Sequence, residues 1–123
     1  MDEVRLRLLD LHKALVDAAR RDYERVHGRQ ADPAFLEALV KDPGLAWLGA
    51  LTTLIVRLDE ALEDGEALQE GWHEPVRRLL KPDAAGGEFN RKYDQLTQQV
   101  PEVVVAHGAV MRALAKGGAP RRP

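Results

Sequence analysis

The sequence predicts an all-α, single-domain, antiparallel four-helix bundle with one additional short helix at about residues 33–41. Three observations carry this expectation. Apolar residues recur with a period near 3.6 along almost the whole chain. β-Branched residues are sparse outside two short runs. Four long amphipathic segments are joined by short, Gly- or Pro-marked connections.

The first helix is expected from about Asp2 to His27. Val4, Leu8, Leu11, Leu15 and Ala18 step by four and three. A second stripe, Leu9, His12, Val16, Ala19, Tyr23 and Val26, runs beside it and widens the face enough for a bundle core. Gly28 follows as a natural terminator, because glycine adopts the left-handed conformation at little cost.

Two helix starts then share one grammar. In ADPAFLEALVKD, Asp32 is placed to cap and Pro33 to occupy the first helical position. In KDPGLAWLGALTTLIVRLDEALEDG, Asp42 and Pro43 repeat the pattern and open a long helix, about 43–64. Its inward face reads Trp47, Leu48, Leu51, Leu54, Ile55, Leu58 and Leu62. Trp47 is expected to seal one end of the core with Phe35.

A helix at about 66–80 carries Leu68, Trp72, Val76, Leu79 and Leu80 at helical spacing, interrupted by Gly71 and Pro75. The last helical segment starts near Glu88 and ends near Lys116. Pro101 should bend it or split it into 88–99 and 101–116. The domain is thus expected over 1–116, with 117–123 a disordered tail.

Composition narrows the function classes. A chain of 123 residues fits one domain with a sizeable core. With no cysteine, disulfides, thiolate metal sites and thiol nucleophiles are all excluded. Eighteen basic and twenty acidic residues are interspersed, for a net charge of −2. The clear basic cluster, Arg121–Arg122, is far too small for counterion-driven nucleic-acid binding. Neither nucleic acid nor membrane is an expected partner. No run approaches the ~20 apolar residues of a membrane span, and MDEVRLRLLD lacks a signal-peptide core. A cytoplasmic location is the expectation.

Two histidines sit among apolar helical neighbours. For His12 these are Leu8, Leu9, Leu15 and Val16; for His107 they are Val103, Val104, Val110 and Met111. Both imidazoles are therefore expected to be buried. At ~1.5 Å rise per residue, His12 lies roughly 15 Å from the start of its helix and His107 roughly 14 Å from the end of its own. In antiparallel neighbours they share a layer, near Thr52–Ile55 on the long helix. Buried imidazoles need hydrogen-bond partners, and Asp59, Thr52, Thr53, Arg57 and Tyr23 are the candidates.

Three roles compete for this polar cluster. It can simply fix helix register. It can bind iron, zinc or haem through His12, His107 and Asp59, although two imidazoles and one offset carboxylate are fewer ligands than a closed site wants. It can also serve acid–base catalysis, with Asp59 orienting a histidine, but no nucleophile or oxyanion loop accompanies it. The Glu-x-x-His pairs Glu24–His27 and Glu70–His73 resemble half of a di-iron ligand set. They fall at opposite ends of parallel helices and so do not converge.

The expected function is a non-catalytic interaction module that takes a protein partner or forms a homodimer. Trp72 is the candidate interface anchor, and no cofactor is expected. A metal- or haem-binding bundle is the alternative.

Overall fold

A computed structural model describes residues 2–63, 73–81 and 87–118. All regular structure among the described residues is helical. In order these are α1 (Asp2–His27), α2 (Asp32–Lys41), a 3-10 helix (Pro43–Leu48), α3 (Gly49–Glu63), α4 (His73–Leu79), α5 (Glu88–Gln99) and α6 (Pro101–Gly118).

The first stripe of α1 forms the floor of the core. Val4, Leu8, Leu11, Leu15 and Ala18 are all buried, as the alternating steps of four and three demand. Each buried leucine contributes about 1.5–3 kcal/mol of apolar transfer free energy. The most extensive packing partner of α1 is α6, followed by α3. α6 supplies Val103, Val110, Ala113 and Leu114, and α3 supplies Leu51, Ile55 and Leu58. α5 lies on α6 and on the 3-10 helix.

The second stripe of α1 departs from expectation. Ala19 is buried, but His12, Val16 and Tyr23 are half-buried, Leu9 is exposed and Val26 is 77% exposed. Two adjacent stripes are a wider face than the neighbouring helices cover, so the second becomes the margin of the core.

Helix boundaries follow backbone chemistry. Gly28 takes a φ of 85° and its N–H donates to the Glu24 carbonyl at 2.8 Å, which closes α1. Asp42 caps the next segment, its carboxylate accepting from the Gly44 N–H at 2.7 Å. The first six residues after that cap wind as a 3-10 helix, so the expected helix at 43–64 has two parts. Asp32 does not cap α2. Ala31 holds the cap position without a side-chain bond, and Asp32 instead accepts from Arg20 at 2.9 Å.

Pro101 splits the last segment. Val100 is extended (φ −118°, ψ 107°), because a residue before proline is pushed out of the helical region. α6 runs on to Gly118, two residues into the expected tail; 119–123 lie outside the described residues. So do 64–72, and with them residues 66–72 of the helix expected at 66–80, of which 73–79 is helical.

Trp47 is buried but packs on Phe89, with ring centroids 5.7 Å apart, rather than on Phe35. Phe35 packs edge-on to Tyr23 at 5.9 Å, with the Arg20 guanidinium 5.1 Å above its ring. Asn90 in α5 donates to the carbonyls of Leu79 at 3.0 Å and Lys81 at 2.9 Å, satisfying groups freed at the end of α4.

Candidate functional site

The residues expected to form one polar cluster divide among separate places. Neither histidine is fully buried, contrary to expectation: both rings are half-buried. The pattern around them is the same. For His12 the neighbours at i−4 and i+3, Leu8 and Leu15, are buried, whereas Leu9 is exposed and Val16 half-buried. For His107, Val103 and Val110 are buried, whereas Val104 is exposed and Met111 half-buried. Each imidazole therefore sits at the flank of its apolar face.

His12 Nε2 lies 3.1 Å from Thr52 Oγ1. The Thr52 hydroxyl also lies 3.3 Å from the Leu48 carbonyl, one turn back on the helix. Partial burial lowers the His12 pKa and favours the neutral imidazole, whose Nε2 donates to or accepts from Thr52 according to the tautomer.

His107 Nδ1 lies 2.6 Å from the Tyr93 hydroxyl. Tyr93 is fully buried, and no other acceptor among the described residues takes its O–H, so the phenol donates and His107 accepts. Burial raises the Tyr93 pKa and lowers that of His107, which keeps both groups neutral. Tyr93 also continues a row of rings, 5.4 Å from Phe89 and 5.4 Å from His107.

Asp59 serves neither histidine. Its carboxylate accepts from Arg5 Nε and ties α3 to α1. Arg57 is exposed. Tyr23 packs against His27 with the rings tilted and their centroids 4.2 Å apart, and lines a cleft of about 230 Å³ between α1, the 3-10 helix and α5. Thus the expected ligand set of His12, His107 and Asp59 does not assemble. Each member already has a different polar partner. Among the described residues no three His, Asp or Glu side chains gather as a metal site. The acid–base arrangement fails similarly, because neither histidine has a carboxylate partner there. Trp72 lies outside the described residues.

What His12 and Thr52 do share is a groove. α1, α2, the 3-10 helix and α3 enclose about 520 Å³ beside them. Val16, Leu36, Leu39, Val40, Leu45 and Leu48 make its walls apolar. α2 crosses at 82° to the 3-10 and α3 segment, and this corner holds the groove open. Leu36 and Val40 are 62% and 84% exposed.

Sequence reasoning placed neither residue at a site, yet a signal was present. FLEALV supplies two adjacent apolar stripes, Phe35–Leu39 and Leu36–Val40, on a helix of ten residues. One stripe suffices to bury such a helix; the other is surplus. Arg20 was likewise not foreseen. It donates to Glu24 at 3.1 Å, to Asp32 and to the Gln30 carbonyl, locking the connection between α1 and α2. The Glu24 carboxyl is held below its ordinary range by the Gln30 N–H and by Arg20.

No single helix among the described residues is long and apolar enough to cross a membrane; α2 and α3 together meet the composition but are sharply bent. In comparisons with known proteins, no family model, curated protein or solved structure matches the chain.

Proposed function

We propose that this protein is a non-catalytic interaction module, a four-helix bundle whose groove receives an amphipathic helix of a protein partner. The observation that carries the reading is the apolar groove walled by Leu36 and Val40, two large side chains left in water one turn apart. Contiguous apolar surface of this kind costs solubility and marks interaction sites. Helical grooves take the apolar face of a partner helix through anchors at i, i+3, i+4 and i+7.

Two cross-links support the antiparallel bundle. Arg5 pairs with Asp59 and His12 with Thr52, so two turns forward on α1 correspond to two turns back on α3. A metal or haem reading has no such support, since its three ligands are engaged elsewhere.

The test is selection from a displayed library of 16-residue helical peptides. Wild-type protein should enrich sequences with apolar residues at helical spacing. The Leu36→Glu/Val40→Glu variant, with unchanged far-ultraviolet circular dichroism, should enrich none. Absence of enrichment by the wild type, or equal enrichment by the variant, overturns the reading.

A further inference from the structure

α6 is apolar on more sides than its neighbours cover. Residues 103–111 contain no Asp, Glu, Lys or Arg, in a chain that is 31% charged. Val103 and Val110 are buried where α6 packs on α1 and α5. On the outer side Val104 and Val105 are 48% and 69% exposed. A helix that is apolar all round belongs in an interior, yet nothing among the described residues covers this side.

Beside Val105 a furrow of about 560 Å³ runs between α6 and α1, lined by half-buried Ala14, Ala106 and Ala109. Of the charged groups on its rim, Arg7 and Asp10 are paired with each other at 2.9 Å. Glu102 is exposed and has no partner among the described residues. The furrow and the groove lie on opposite flanks of α1, with the buried stripe of Leu8, Leu11 and Leu15 between them.

The charges on this face of α6 have a symmetry. Glu102, Val105, Ala109 and Arg112 follow one another at steps of three, four and three, so they share one stripe. Arg112 is exposed and likewise has no ion-pair partner among the described residues. It leans back one turn, with Nη1 3.3 Å from where a Cβ of Gly108 would stand. Glu102 is thus three residues before Val105, and the Arg112 guanidinium lies level with a residue three after it. Both offsets are ~4.5 Å along the helix. A two-fold axis through Val105, perpendicular to α6, exchanges the two levels. It sets the carboxylate of each copy against the guanidinium of the other, with the two Val105 side chains between them.

We propose that the face of α6 centred on Val105 joins two copies of this chain as an isologous dimer, with the two α6 helices antiparallel and Glu102 of each copy paired to Arg112 of the other. The occupant is a second copy because the face is complementary to itself. Opposite charges stand at equal distances on either side of an apolar centre, which is the condition a two-fold interface imposes. Reciprocal Arg–carboxylate pairs beside an apolar patch fix register and orientation. The interface is independent of the groove, and the dimer leaves both grooves open.

Sedimentation velocity of the full chain over a concentration series tests the proposal. Wild-type protein should run at twice the monomer mass at high micromolar concentration and dissociate on dilution. Val105→Asp places two carboxylates at the axis and should yield monomer. Its far-ultraviolet circular dichroism should be unchanged, since that side chain is largely in water. Glu102→Arg and Arg112→Glu each create two like-charge contacts and should weaken the dimer about tenfold or more. The double variant Glu102→Arg/Arg112→Glu rebuilds both pairs in the reverse sense and should recover most of the affinity. That recovery distinguishes pairing across the axis from any effect of either charge on its own helix. A monomer throughout the series, a dimer that survives Val105→Asp, single reversals without effect, or losses that the double variant does not recover each overturn the proposal.

Discussion

His12 and His107 show how one residue position divides a helix face. Both have buried neighbours at i−4 and i+3 and more exposed ones at i−3 and i+4. The all-apolar neighbourhood was legible in the sequence, but apolar does not mean covered. Which flank faces the core depends on where the next helix lies, and that information is not local. The consequence is two tethered imidazoles. His12 is hydrogen-bonded through Nε2 to Thr52, and His107 accepts at Nδ1 from Tyr93. Tyr93→Phe removes the phenol while preserving the ring stack. It should destabilise the fold by about 0.5–1.5 kcal/mol, read from urea unfolding midpoints. A loss above ~3 kcal/mol would mean that the hydroxyl holds more than this one bond.

At the level of elements, breaks were more legible than faces. The stops at Gly28 and Val100–Pro101, and the cap at Asp42, follow from backbone restrictions that act within a few residues. The 3-10 winding of Pro43–Leu48 was not legible, since proline and glycine at its start fit either helix. Asp32 misled for a related reason. A carboxylate before proline is a natural cap, but Arg20 offered it a charged donor across the turn. At Gly28 no atom obstructs an added methyl group, so strain there is purely torsional. Gly28→Ala should therefore cost about 1 kcal/mol in unfolding free energy without altering helix content. An unchanged midpoint would show that the turn relaxes out of the left-handed region.

For the whole molecule, helical periodicity disclosed the class, and the core list on α1 followed from it. The groove did not follow, because it arises where α2 turns across the 3-10 and α3 segment, and a turn angle has no local signature. The distribution of titrating groups sets the stability profile of the whole fold. His12 and His107 both have pKa values lowered on folding, so the unfolded chain binds their protons more readily. Their contribution is complete above the ordinary histidine pKa of 6.5 and is lost as pH falls below it. Tyr93 acts at the other end. Burial raises its pKa, so stability is retained below the ordinary value of 10.0 and declines as pH rises past it. Urea midpoints should therefore fall on both sides of a plateau between about pH 7 and 10. The acid limb should flatten in a His12→Phe/His107→Phe variant. An acid limb of unchanged slope in that variant would assign it to the carboxylates instead.

Arg20 gives the groove a further property. One guanidinium grips its own helix at Glu24, the connecting strand of chain at Gln30 and the first residue of α2 at Asp32, while lying over Phe35. The wall formed by Leu36 and Val40 is thus set like a jaw on a single hinge pin, anchored in α1. The aperture of the groove is governed from α1, the same helix that supplies His12 and Val16 to its lining, so one wall is held in place by the helix that forms the other.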